Sequence, residues 1–234
     1  MNTMSQQTTL LLASSSPRRR ELIGTIGLPV LIEAPDVDET MPEGTPPDEL
    51  VEQLSLRKAG TVAGRNGEQT GTIVIGSDTV VVLDGRILGK PADGDEAFAM
   101  LRALSGRTHQ VYTGITCIDA GCTLPPTVAE GRGTVMPFGD VGRYRVSAEG
   151  ADGKPRALVG HTVSRVTFRP MSDKEIRAYI RTGEPMDKAG AYGVQGSGAL
   201  FIEKIEGDFY SVMGLPLSLL YQLLLHWGIR PFQG

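Results

Sequence analysis

At 234 residues, with 40% apolar and 21% charged side chains, the chain can bury a core that needs neither disulfides nor structural metal, and no run of about 18 apolar residues offers a membrane span. A net charge of −4 and a pI near 5.5 argue against a broad electrostatic grip on nucleic acid, as does an aromatic content of only 6%. Cys117 and Cys122 cannot build a disulfide framework, nor can His109, His161 and His226 make a dedicated metal cage. Any divalent metal must therefore be held by carboxylates and by the substrate. The basic residues near the N-terminus follow a short apolar run, the reverse of a secretory signal, so a cytoplasmic location is expected.

In chain order the pattern alternates strands with helices, which predicts a mixed α/β fold. Residues 8–13 (TTLLLA) are apolar without clean alternation, a short buried strand. Ser16-Pro17 then opens a helix, Ser as N-cap and Pro in the first position, with Leu22, Ile23 and Ile26 as its apolar stripe. A short strand is expected over 29–33. Thr45-Pro46-Pro47-Asp48 reads as a capping box starting a second helix that carries Leu50, Val51 and Leu54. Residues 73–83 are a β-branched run closed by the hairpin signal Asp84-Gly85, with 86–88 returning. Asp93 and Glu96 cap a helix bearing Ala97, Met100, Leu101 and Leu104, which stops at Ser105-Gly106. Strands are expected near 108–118, 161–168 and 198–205. Ser172 and Glu175 cap a further helix with Gly183 as its exit, and the last helix starts at Pro216 and covers 219–227. Residues 119–160 hold eight glycines and four prolines without periodicity. They are expected as a long hairpin loop or insertion, ordered in part at best, between two paired strands.

Five places carry chemistry. Ser14, Ser15 and Ser16 end a strand, and Arg18 and Arg19 occupy the first helical turn, where the macrodipole already supplies about +0.5 charge. Cations are unfavourable there unless an anion completes the site, so hydroxyls, N–H groups and guanidinium converge on a phosphate; a solvated basic helix start is the plainer alternative. Asp78 lies inside an apolar strand, where an ionised carboxylate needs a metal, a lysine or water, although Gly76 would also allow a bulge there. Asp36, Asp38 and Glu39 offer oxygen ligands for a divalent cation, or simply an exposed acidic loop. Lys58 falls on the apolar face of its helix, so it either snorkels or reaches into a shared cleft, and Lys90 follows the hairpin towards the same end of the sheet. The glycine-rich stretch 183–198 adds Asp187, Lys188, Tyr192 and Gln195; a Gln presents both the donor and the acceptor that reading a base edge requires. No P-loop, dinucleotide fingerprint or serine-hydrolase elbow is present.

Taken together and in this order, LASSSPRRREL (12–22), DVDE (36–39), RKA (57–59), GSDTVV (76–81), LGKP (88–91), MLRALSG (100–106), DKAGAYGVQGSGA (187–199) and GLP (214–216) resemble the Maf family of nucleoside triphosphate pyrophosphatases. The resemblance implies one domain over 1–234, with two lobes and a long twisted sheet flanked by helices and split by a deep cleft, similar to inosine triphosphate pyrophosphatases. It implies hydrolysis between the α and β phosphates, giving a monophosphate and pyrophosphate, as a housecleaning activity on the nucleotide pool. Arg18, Thr79 and Gln195 match the branch acting on dTTP and UTP, with CTP or modified pyrimidine nucleotides as further substrates. Ser14, Ser16 and Arg19 would cradle the triphosphate with help from Lys58 and Lys90. Glu39 and Asp78 would hold a divalent cation (Mg, Mn or Co), and Asp78 would act as general base. A homodimer is implied too, while nucleic acid and membrane are not expected partners. The alternative is a nucleotide-binding regulator of cell division without turnover. The long 119–160 segment departs from the family pattern.

Overall fold

The computed structural model describes residues 8–67, 71–120 and 133–231. Its nine strands are β1 (Thr9–Ala13), β2 (Val30–Glu33), β3 (Thr72–Leu83), β4 (Arg86–Leu88), β5 (Thr108–Asp119), β6 (Met136–Phe138), β7 (Gly142–Glu149), β8 (Pro155–Phe168) and β9 (Ile202–Glu206). They form one mixed sheet in the order β2-β1-β3-β5-β8-β7-β6, with β4 on β3 and β9 on β8. Only β2-β1-β3 is parallel. The helices are α1 (Pro17–Gly24), α2 (Pro47–Arg65), α3 (Gly94–Leu104), α4 (Asp173–Ile180), α5 (Phe209–Met213) and α6 (Leu217–Leu225). No helix among the described residues is long and apolar enough to cross a membrane.

Both faces of β1 are covered, which is why its sequence lacks alternation. Leu10 and Leu12 pack with Leu219, Leu220, Leu223 and Leu224 of α6, while Leu11 and Ala13 pack with Ala59, Val62 and Ala63 of α2. Helix α2 lies unusually close to the sheet. A Cβ on Gly76 would stand 2.2 Å from the Ser55 carbonyl oxygen, and one on Gly114 would stand 2.1 Å from that of Val51. Gly76 therefore marks a close helix approach rather than a bulge, and β3 pairs with β5 without interruption from Ile73 to Val82.

The flanking pairing is broken on either side of the long strands. On one flank β1 pairs with β3 only as far as Gly76, and β4 begins pairing at Val81. On the other, β7 covers β8 up to Thr162 and β9 takes over at Arg165. Ser77–Val80 of β3 thus face a notch, and successive side chains there point to opposite faces of the sheet.

Several expectations change. Thr45 does not cap α2: its hydroxyl donates to the Pro42 carbonyl at 2.7 Å, and Pro46 is the N-cap with Pro47 first in the helix. The expected strands at 161–168 and 198–205 are Pro155–Phe168 and Ile202–Glu206, and a 3-10 turn fills Gly196–Phe201. Helix α5 is a further element, capped by Asp208, whose carboxylate accepts from the Tyr210 N–H at 2.9 Å. Of the 119–160 segment, residues 121–132, with Cys122, lie outside the described residues. The remainder carries β6, β7 and the start of β8, because inter-strand backbone pairing orders residues whose side chains show no period.

Candidate active site

A cleft of about 530 Å³ opens at the notch. It is lined by Ser14, Ser15, Ser16, Arg18 and Arg19 after β1, by Glu39 and Lys58, by Asp78 and Thr79, by Lys90 after β4, and by Asp187, Lys188 and Tyr192. Five cationic side chains (Arg18, Arg19, Lys58, Lys90, Lys188) meet three carboxylates (Glu39, Asp78, Asp187), so the cleft is positive in a chain of net charge −4. Of the sequence-predicted residues, Asp36 and Asp38 stay exposed outside the cleft, Gln195 does not line it, and the rest converge here. Gln195 is half-buried beside Gly193 and Val194, which do line the cleft.

On one face, Asp78 turns towards α2. Lys58, a residue only 6% exposed, donates through Nζ to Asp78 Oδ1 at 2.6 Å and stands 2.7 Å from Glu39 Oε1. Lys58 therefore spans the two carboxylates instead of snorkelling to solvent. Burial works to raise the Glu39 carboxyl, but the hydrogen bond and charge of Lys58, with Lys90 and Arg19, hold it below the ordinary value. Arg57, one residue earlier, carries the loop that presents Glu39 by donating to the carbonyls of Asp38 and Thr40. Among the described residues no hydrogen bond reaches the second oxygens, Asp78 Oδ2 and Glu39 Oε2. Two carboxylates already sharing one cation, with open oxygens facing a positive cleft, fit a hard divalent ion that takes its other ligands from phosphate and water.

On the opposite face is the start of α1. Ser16, the N-cap, makes no side-chain bond to its helix, and Ser14 Oγ accepts from the Ser16 N–H at 3.1 Å. Pro17 brings no N–H, and no acidic residue sits in the first turn. The hydroxyl of Ser16 and the first-turn N–H groups are left for a ligand, as a phosphate site at a helix start requires. Arg19 is fixed by two bonds, Nε to the Gly214 carbonyl at 2.7 Å and Nη2 to Thr79 Oγ1 at 3.2 Å. Burial lowers its guanidinium from the ordinary value, Arg18 adds to this, and Asp78 and Glu39 oppose it.

The glycine-rich loop is held from below by Glu184. Its carboxylate accepts from the Tyr179 hydroxyl at 2.9 Å and from the N–H groups of Ser197 and Gly198 at 3.0 and 3.1 Å. Sequence reasoning missed this anchor and the Gly214 carbonyl, since both depend on distant residues meeting. Their only sequence traces are the acid at 184 and the Gly-Leu-Pro at 214–216.

A family model described as Maf-like protein matches residues 9–227. The dTTP/UTP pyrophosphatase of Symbiobacterium thermophilum is 44% identical over 225 residues, covering 96% of this chain and 97% of its own length. Its namesake from Pelotomaculum thermopropionicum is 44% identical over 219 residues, covering 94% and 96%. That of Bacillus cereus is 38% identical over 220 residues, again covering 94% and 96%. A nucleoside-triphosphatase (dITP/XTP pyrophosphatase) from Mycobacterium abscessus superposes with a TM-score of 0.36 at 14% identity over 69% of this chain and 74% of its own, too loose a likeness to bear on function. With the family model matching almost its full length and relatives this close, the chain belongs to the Maf family.

Proposed function

We propose that the protein is a nucleoside triphosphate pyrophosphatase that hydrolyses dTTP and UTP to the monophosphate and pyrophosphate. The observation that carries this reading is the positive cleft of an acidic protein, in which an uncapped helix start and Arg19 face two carboxylates bridged by Lys58. The family relationship and the names of the relatives supply the substrate class.

Ser14, Ser16, the first-turn N–H groups of α1 and Arg19 hold the triphosphate, and Lys90 adds charge from the opposite rim. Asp78, hydrogen-bonded to Lys58, accepts a proton from the attacking water. The water oxygen bonds to the α phosphorus, the bond to the bridging oxygen breaks, and its electron pair leaves with pyrophosphate. Glu39 and Asp78 would hold a divalent cation, which neutralises phosphate charge and lowers the pKa of water. Positioning and charge stabilisation supply most of the acceleration in such phosphoryl transfers.

Arg18, Thr79 and Gln195 are the proposed specificity residues. One domain of two lobes belongs to the same reading, supported by the gap between the β1 and β4 pairings of β3. A homodimer and a cytoplasmic location complete the reading, the first open to light scattering. The test of function is pyrophosphate release from a panel of triphosphates with Mg²⁺, Mn²⁺ or Co²⁺. We expect dTTP and UTP to turn over well and purine triphosphates poorly; release from none of them overturns the reading.

A further inference from the structure

Across the centre of the sheet runs a row of three threonines in register. Thr79 of β3 lies opposite Thr113 of β5, and Thr113 lies opposite Thr162 of β8. Thr113 and Thr162 are fully buried, as is Ser211 of α5, which caps the row. The hydrogens can be assigned by counting. A hydroxyl has one to give, and that of Thr113 goes to the Ser211 carbonyl at 2.8 Å. At the 3.1 Å contact with Thr79, Thr113 must therefore accept and Thr79 donate. Thr79 has then spent its hydrogen, so towards the cleft its oxygen can only accept, and there it receives Arg19 Nη2.

The same Ser211 carbonyl also accepts the Gly214 N–H at 2.9 Å. Gly214 sits at φ +116°, a conformation open to glycine, and this turns its own carbonyl onto Arg19 Nε. Thr113 thus sits behind both acceptors of Arg19: directly behind Thr79, and through Ser211 behind the Gly214 turn. A chain of hydrogen bonds with fixed direction holds a guanidinium more narrowly than either contact alone.

From this we infer that Thr113, out of reach of any ligand, is a positioning residue for Arg19 in triphosphate binding. The inference rests on the proposed function for its kinetic consequence alone. Two readings test it in Thr113→Val and Thr113→Ser. One is exchange with water of the Arg19 Nε–H, identified in nitrogen-edited NMR spectra by its loss in Arg19→Lys. The other is kcat/KM for dTTP.

We expect Thr113→Val to speed the exchange and to lower kcat/KM about tenfold, the worth of about one charge-assisted hydrogen bond, with Thr113→Ser restoring both. A Val variant that changes only one reading, or neither, overturns the inference, as does a Ser variant that fails to restore them. Should Thr113→Val not fold, Thr113→Ala removes the same hydroxyl with less bulk and the same two readings decide. A wild-type protein that releases no pyrophosphate from dTTP overturns the proposed function, while the exchange measurement still judges Thr113.

Discussion

Helix α2 faces two buried carboxylates of opposite character. Its own Glu52 has both oxygens occupied, Oε1 by His161 Nδ1 at 2.7 Å and Oε2 by Arg145 Nη1 at 2.5 Å. Asp78, reached by Lys58 less than two turns further along, has one oxygen paired and the other open to the cleft. Burial works to raise Glu52, but the His161 bond and the charge and bond of Arg145 keep it below the ordinary value. Burial and ionisation alone therefore do not mark a reactive acid. A carboxylate with both oxygens engaged locks helix to sheet, and one with an oxygen left open beside a cleft can still take a proton.

Substitutions should separate the two. Asp78→Asn is expected to lower kcat for dTTP by on the order of 10²–10⁴-fold with a small change in Tm. Near wild-type turnover would move the base to Glu39. Glu52→Ala leaves Arg145 and His161 unpaired, and is expected to cost about 3 kcal/mol or more in urea unfolding while the residual native enzyme keeps its KM. Equal activity losses in both variants would break the comparison.

Acid titration sharpens it. A carboxylate held low when folded stabilises above its unfolded pKa, and that contribution disappears as pH falls through the folded value; for Glu52 the loss lies below the ordinary carboxylate range. His109, buried against Phe168 and Tyr192, is pushed down by burial to about 4 from 6.5. The unfolded chain binds its proton first, so stability should fall by at most about 3 kcal/mol as pH drops from 6.5 to 4. His109→Phe should flatten that window, which denaturation at several pH values reads. The smallest expected effect is at the loop: Gln195→Glu should lower kcat/KM for dTTP and UTP about tenfold, and an unaltered substrate profile would remove Gln195 from base recognition.

The parts of the site legible in the sequence are those set by local periodicity. Ser16-Pro17 is a local helix-start signal, the apolar run around Asp78 announces a buried acid, and the spacing to Leu54 places Lys58 inward. Which partner Lys58 would find was left open, because that depends on β3 lying beneath α2 at Gly76. The acceptors of Arg19 were illegible for the same reason: Thr79 is 60 residues away and Gly214 is 195. Strands β6 and β7 were hidden by the glycines that flank them, since the backbone pairing of β6 to β7 and of β7 to β8 needs no side-chain pattern. Helix α5 was hidden by its β-prone residues, although Asp208 gave a cap signal.

The most direct measurement is the product ratio when the wild-type protein meets dTTP and a divalent cation. The account requires dTMP and pyrophosphate in equal amounts, because the triphosphate held at α1 presents its α phosphorus to Asp78. Appearance of dTDP with inorganic phosphate, or a dTTP pool that stays intact, would contradict it.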